Sequence, residues 1–416
     1  MTTIIAFIVV FVILVLVHEF GHYFFAKRSG ILVREFSIGM GPKLIATRKN
    51  NTTYTLRLLP LGGYVRMAGW QDEEDEEDEV KPGTTLTLTL NDAGIVTRIN
   101  TSNKVTLQGG LPVQVDHIDL VDDLMIQGYE YGDDTQLKTW HVDHDATIIE
   151  EDGTEVVIAP SDVQFQNASV WRRLLVNFAG PLNNFILAIV AFIVVGFMAG
   201  APVANTNQIG AVQAGSPAAK AGLQANAHIQ QINGTKISSF ADLQQAVQQA
   251  DGKTLQVKAV QAGKTATLAI KPTNKGVIGV TQHMDRSATA AIAYGFTQTW
   301  SLTTRIFSVL GSMVTGGFSL NKLAGPVGIY TMTASYAANG VLGLIVFLGY
   351  LSLNLGIMNL IPIPVLDGGK ILLNLIEVVR RKPISREKEG IVTMIGAGLM
   401  VLLLVAVTIN DILRQF

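Results

Sequence analysis

Apolar residues fall in four long blocks, and the segments between them are mixed or polar. Residues 4–26 open with an unbroken apolar run from Ile4 to Val17. Residues 174–200 are interrupted by Asn177, Asn183 and Asn184, and residues 341–361 by Ser352, Asn354 and Asn359. Residues 391–409 are almost free of polar groups. Each block matches the roughly 20 apolar residues that a membrane-spanning helix needs. A fifth stretch, about 290–314, has Arg305 in its middle and many Thr, Ser and Gln. It reads as an amphipathic, interfacial helix.

Positive charge orients the spans. The first block reads as a retained span, because no Lys or Arg precedes it and no small-x-small cleavage site follows. Lys27, Arg28 and Arg34 follow it instead, Arg172 and Arg173 precede the second block, and Lys370, Arg380, Arg381 and Lys382 follow the third. Basic residues stay in the cytoplasm. The N-terminus is therefore expected outside, residues 27–171 in the cytoplasm, 201–340 outside and 370–390 in the cytoplasm.

Composition narrows the class. The chain of 416 residues is 48% hydrophobic and 15% charged, against about 25% charged in a soluble domain. A purely soluble or a disordered protein is excluded on that ground. The absence of cysteine removes disulfides, thiol nucleophiles and Cys-ligated metals. The net charge of −2 hides a division: 23 of the 33 acids lie in 71–170, with only Lys81, Arg98, Lys104 and Lys138 among them. Asp72 to Glu79 are consecutive acids. They read as a solubilising tether, with metal buffering or partner docking as alternatives. Beyond them, strand-like runs such as Thr84–Leu90 and Glu155–Ala159 are separated by Gly- and Asp-rich turns. A small β-rich domain is expected over about 83–166.

Residues 18–22 read His-Glu-Phe-Gly-His. In a helix His18 and His22 share one face and can reach one metal. Glu19 can then approach a water on that metal and serve as its base. If the helix enters the hydrocarbon near residue 4, His18 lies about 21 Å deep at 1.5 Å per residue, in a core of ~30 Å. Ionisable groups there normally mark a functional site. Zinc takes a third protein ligand plus water in catalytic sites. The remaining histidines, His117, His141, His144, His228 and His283, lie in soluble segments. Asp367 is the acid best placed, in the run Asn359-Leu-Ile-Pro-Ile-Pro-Val-Leu-Asp-Gly-Gly. Pro362 and Pro364 should unwind the chain there. A Pro-ended helix followed by a surface Asp-Gly turn is the alternative.

With both motifs in view, the chain resembles the site-2 protease family of intramembrane zinc metalloproteases, in its bacterial RseP-like branch. That family pairs H-E-x-x-H with N-x-x-P-x-P-x-L-D-G, and both patterns are complete here. Further matches are Asn-Phe-Ala-Gly-Pro-Leu-Asn (177–183), Ala-Gly-Pro-Val-Gly-Ile (324–329) and Leu-Gly-Gly-Tyr-Val-Arg-Met (61–67). The resemblance implies Zn2+ bound by His18, His22 and Asp367, with Glu19 as the catalytic base. It implies substrate contacts from Asn354, Asn359, Pro362 and Pro364, and from Gly62, Gly63 and Tyr64 of a membrane-associated β-loop. The run Tyr54–Met67 itself reads as a β-hairpin whose edge could pair with an unwound substrate. Residues 205–275 resemble a PDZ domain, with Ser239 to Gln249 as a capped amphipathic helix. Binding of peptide termini and exclusion of bulky substrates are both open roles for it.

The expected architecture is a multi-pass α-helical membrane protein of the bacterial plasma membrane. Its parts are a first transmembrane helix (1–26), the β-loop region (27–70), the acidic insert (71–170) and a second transmembrane helix (171–200). The PDZ domain (201–280), an amphipathic linker (281–340), a third transmembrane helix (341–369), a cytoplasmic connection (370–390) and a fourth transmembrane helix (391–416) follow. The expected activity is an intramembrane zinc endopeptidase acting in regulated intramembrane proteolysis. Its expected substrates are single-span proteins, such as anti-sigma factors, or remnant signal peptides. The lipid bilayer is the other expected partner, and no nucleic acid is expected. A non-catalytic PDZ-bearing membrane scaffold is the alternative, although a scaffold has no need of Glu19. A metal transporter would need acids or histidines on several spans, and the apolar blocks 174–200 and 391–409 carry none.

Overall fold

The computed structural model describes residues 3–69, 80–130, 135–274 and 276–414. The acidic run 72–79 lies outside these residues. All four apolar blocks are helical, and Thr3–Arg28, Val170–Ala199, Gly340–Asn359 and Glu387–Leu413 are each long and apolar enough to cross a bilayer. Helix is what such sequence must form in lipid, where each backbone polar group needs an internal partner. Side chains such as Val9, Leu399 and Leu402 are exposed on these helices, as contact with acyl chains allows. The protein is a membrane protein with mixed helix and sheet. The chain divides into two compact units, Met1–Ala188 with Thr303–Phe416, and Ile189–Leu302.

In the first unit, α1 (Thr3–Arg28) leads into two long strands, β1 (Val33–Lys49) and β2 (Thr52–Met67). The turn between them is Asn50-Asn51, both at positive φ, the chemistry of a tight hairpin. Each strand then folds back on itself. Residues 43–49 of β1 pair with 52–57 of β2, while 35–38 of β1 pair with 53–56 on one side and with 63–66 on the other. The expectation of a hairpin within Tyr54–Met67 is corrected accordingly. Its two halves are strand, but residues 35–38 lie between them.

The insert follows as β3 (Thr85–Leu90), β4 (Val96–Asn100), β5 (Leu111–Asp119), β6 (Met125–Glu130), β7 (Lys138–Ile149) and β8 (Glu155–Val157). The sheet order is β4-β3-β5-β6-β7-β8, and an additional β4–β7 pairing closes the first five strands into a ring. Alternating residues such as Leu86 and Leu88, Val113 and Val115, and Trp140 and Val142 fill its core, as a period of two requires. The turn-helix α2 (Val170–Ala199) then begins, with Pro181 inside it.

The second unit contains β9 (Ala201–Pro202), β10 (Ile209–Val212), α3 (Pro217–Lys220), β11 (His228–Ile232), β12 (Thr235–Lys236), α4 (Phe240–Gln249), β13 (Leu255–Gln261), β14 (Lys264–Ile270), β15 (Val280–Gln282) and β16 (Met284–Asp285). Its main sheet has the order β12-β11-β13-β14, and β10 pairs with β15. Ser239 and Asp242 form a reciprocal capping box that starts α4. Leu243 and Val247 of α4 join Ile229, Ile232, Val257 and Ala259 in one core.

The helix α5 (Ala288–Val314) covers the stretch read as amphipathic. Four more helices follow, two of them outside the apolar blocks. The segment before the third span holds α6 (Pro326–Ala337), and the span itself is α7 (Gly340–Asn359). The connection after it contains a separate helix, α8 (Asp367–Arg380), ahead of α9 (Arg386–Leu413). Two prolines within residues 360–366 end one helix before the next can start. Asp367 therefore begins a helix of its own and does not extend the third span.

Candidate metal centre

His18 and His22 project from one face of α1 toward α2. His22 Nδ1 donates to the carbonyl oxygen of Val176 at 2.8 Å. That bond leaves the Nε2 lone pair of His22 facing inward, the arrangement that readies an imidazole for a metal. His18 Nδ1 lies 3.1 Å from the side-chain amide of Asn184. Ser352 Oγ donates to the Asn184 carbonyl at 2.8 Å, and Asn183 Nδ2 to that of Val17 at 3.1 Å. The first half of α2 thus backs the motif along its length. Close approach is possible because Gly180 has no side chain: a Cβ there would collide with His22 Nε2 and His18 Cε1.

Asp367 completes the group. Its Oδ2 lies 3.3 Å from His18 Nε2 and 3.5 Å from His22 Nε2, and the two Nε2 atoms are 3.2 Å apart. Asp367 Oδ2 is buried and has no hydrogen-bond donor among the described residues. A carboxylate oxygen aimed at imidazole lone pairs is costly unless a cation stands among them. One ligand atom from each of the three residues falls within 4.8 Å of the others. Two imidazole nitrogens and one carboxylate oxygen are a donor set suited to zinc, with a fourth position left for water. The residues fit the metal.

A cavity of about 170 Å3 adjoins this group, lined by His18, Glu19, His22, Tyr64, Val65, Met67, Asp367 and Lys370. Glu19 therefore opens onto the same space as the three ligand candidates. The strand segment 63–67 forms another wall, with its inner side paired to residues 33–38.

Among the residues expected to contact substrate, only Tyr64 lines the cavity. Gly62 turns the chain at φ 87°, and Gly63 packs so closely on Ser37 that a Cβ would strike its carbonyl oxygen. Asn354 donates back to Tyr350 O at 2.8 Å within its own helix. Asn359 ends α7, and Pro362 and Pro364 lie in the link to α8. Gly180, Asn184, Val65, Met67 and Lys370 are the residues that sequence reasoning did not assign. Asn184 had a visible signal as a polar group inside an apolar block, and Gly180, Val65 and Met67 lay within runs that resemble the family without a role of their own.

The chain matches the description Peptidase family M50 over residues 6–403. It is 50% identical, over 100% of both chains, to a protein of Enterococcus faecalis named "Probable protease eep". It is 49% identical, over 100% of both chains, to a provisionally named zinc metalloprotease of Streptococcus pyogenes serotype M6. A third relative, from Lactococcus lactis subsp. lactis and provisionally named in the same way, is 46% identical over 100% of this chain and 99% of its own.

Proposed function

This chain belongs to peptidase family M50, the site-2 proteases, and from that premise we propose that His18, His22 and Asp367 hold the zinc of a membrane metalloprotease, with Glu19 as its general base. The single observation that carries the assignment is the convergence of His18 Nε2, His22 Nε2 and the buried Asp367 Oδ2. Bound zinc supplies a Lewis acid that polarises the scissile carbonyl and makes water nucleophilic near neutral pH. Glu19, on the same cavity wall, takes the proton of the attacking water and passes it to the leaving amine. Val176 and Asn184 hold the two imidazoles in orientation throughout.

Substrate is received along the strand 63–67. A transmembrane helix hides its carbonyls in its own ladder, so it must be drawn out before hydrolysis. Pairing with an edge strand does this through backbone hydrogen bonds. The position of Tyr64, Val65 and Met67 on the cavity wall supports this route. Single-span proteins, including anti-sigma factors, and remnant signal peptides are the substrate class. Asn359, Pro362 and Pro364 shape the link that presents Asp367, and together with Asn354 they are the further residues of this chain proposed to contact substrate.

The N-terminus and residues 201–280 lie outside the cell, and the insert 71–170 lies in the cytoplasm, in keeping with Lys27, Arg28, Arg172 and Arg173 at the ends of the first two spans. The strands β10–β15 and the capped helix α4 support a PDZ domain in the external segment. It filters or holds substrates already trimmed outside.

The test uses the full chain in detergent with a model transmembrane substrate. Cleavage stops with Glu19→Gln and with a chelator, while zinc content survives that substitution. Asp367→Ala loses zinc and His283→Ala keeps it. Equal cleavage by wild type and Glu19→Gln sinks the assignment.

A further inference from the structure

Among the described residues the insert takes no part in the zinc centre, yet its acids are tied to the sheet that borders the cavity. Glu150 Oε1 accepts from Arg66 Nη1 at 2.6 Å and lies 3.7 Å from Arg34 Nη2. Glu155 meets Arg48 at 3.3 Å, and Asp152 meets Arg57 at 3.8 Å. Main chain joins in. Arg34 Nε donates to Val157 O at 2.8 Å, and Thr53 Oγ1 to Glu155 O at 2.6 Å. The short strand β8 thus has carbonyls satisfied by side chains of β1 and β2.

Two of these ties lead to the cavity wall. Arg66 stands between Val65 and Met67, which both line the cavity. Arg57 binds the buried Glu35 at 2.9 Å, and its guanidinium carbon lies 5.6 Å from the ring centroid of Tyr64, a third wall residue. The Arg66 and Glu150 side chains are only 20% and 16% exposed, so salt screens their attraction weakly.

We propose that the acidic insert braces the substrate edge, with Arg66 and Glu150 as a positioning pair that fixes strand 63–67 beside the zinc site. The proposal rests on the reading that this strand receives substrate. A strand held in one place offers a backbone already ordered for pairing, so binding does not have to supply that order. When the brace is loosened, substrate binding weakens and the chemistry of the bound complex does not.

The experiment compares full-length wild type, Arg66→Gln, Glu150→Gln and the double variant on a model single-span substrate. Each single change raises KM about tenfold, with kcat within about twofold. The double variant is no worse than either single, because the two side chains act as one unit. Zinc stoichiometry stays at the wild-type value. Unchanged KM, multiplied effects in the double variant, or lost zinc overturns the brace. A photo-crosslinking side chain at Val65 in the Glu19→Gln background reads the edge independently. Absence of substrate crosslinks there sinks the edge reading itself. Crosslinking together with wild-type KM in both Gln variants sinks the brace alone.

Discussion

Gly180 and His22 are packed so closely that a single added methyl group on the glycine would occupy the space of the imidazole Nε2. The contact is fixed from below by the 2.8 Å hydrogen bond from His22 Nδ1 to Val176 O, one helical turn before Gly180 on α2. A bare backbone at residue 180 is therefore part of the metal centre, although it supplies no ligand.

Gly180→Ala should displace both imidazoles without unfolding the span, since Ala favours helix more than Gly does. Zinc affinity is expected to fall at least about tenfold, and cleavage with it. Metal analysis of the purified protein checks this, with helical content by circular dichroism as the control. Full zinc occupancy in the variant would show that the centre has room that the structure denies it.

Asn184 is the second support. Its side-chain amide faces His18 Nδ1 at 3.1 Å, while Ser352 holds its backbone carbonyl. Asn184→Ala should lower zinc affinity by about 10- to 100-fold, the range for loss of an outer partner of a metal-binding histidine. Competition with a calibrated chelator measures it. Asn354→Ala is the contrast, since Asn354 bonds only to Tyr350 of its own helix among the contacts described, and zinc affinity should stay unchanged.

How far the sequence was legible follows from distance along the chain. His18, Glu19 and His22 declare themselves because helical periodicity acts within one turn. Asp367 is legible because Pro362 and Pro364 must break the third apolar block just before it. Gly180 and Asn184 stand more than 150 residues from the histidines, and no local rule connects them. The sheet of 33–67 is illegible for a different reason. Loose alternation marks Tyr54–Met67 as strand, but residues 35–38, which carry no such mark, pair with 53–56 and with 63–66 at once. Only the reversals of both strands decide that they do. The helix α8 was hidden by the charges of residues 370–390, which marked a cytoplasmic connection without revealing its helical face.

Acid should weaken the tie between insert and sheet. Burial pushes the Glu155 carboxyl up, but hydrogen bonds from Arg98 and Thr147, with the charges of Arg98 and Arg48, outweigh it and hold it below the ordinary value of 4.5. A depressed folded-state value means that the ionised form stabilises the fold. This contribution is fully present above about pH 4.5 and is lost as pH falls through the lower folded value. Thermal unfolding of the insert should therefore drop in temperature on that acid limb. Glu155→Gln should start lower at neutral pH and show a flatter limb, and an unchanged limb would remove Glu155 from the account.

The last prediction concerns Asp411, a buried acid near the end of α9. Its Oδ2 accepts from the backbone amides of Gly325 and Gly328, each at 2.8 Å. Gly325 caps α6 and Gly328 lies in its first turn, so the carboxylate satisfies amides that the helix itself leaves open. Asp411→Ala strands both donors, at a cost of about 1–3 kcal/mol for each buried group. Asp411→Asn keeps an oxygen acceptor and should lose much less. The measurement is hydrogen exchange of the amides in 325–331, which should quicken strongly in Asp411→Ala and mildly in Asp411→Asn. Equal exchange in wild type and Asp411→Ala would mean that α6 is capped by something other than α9.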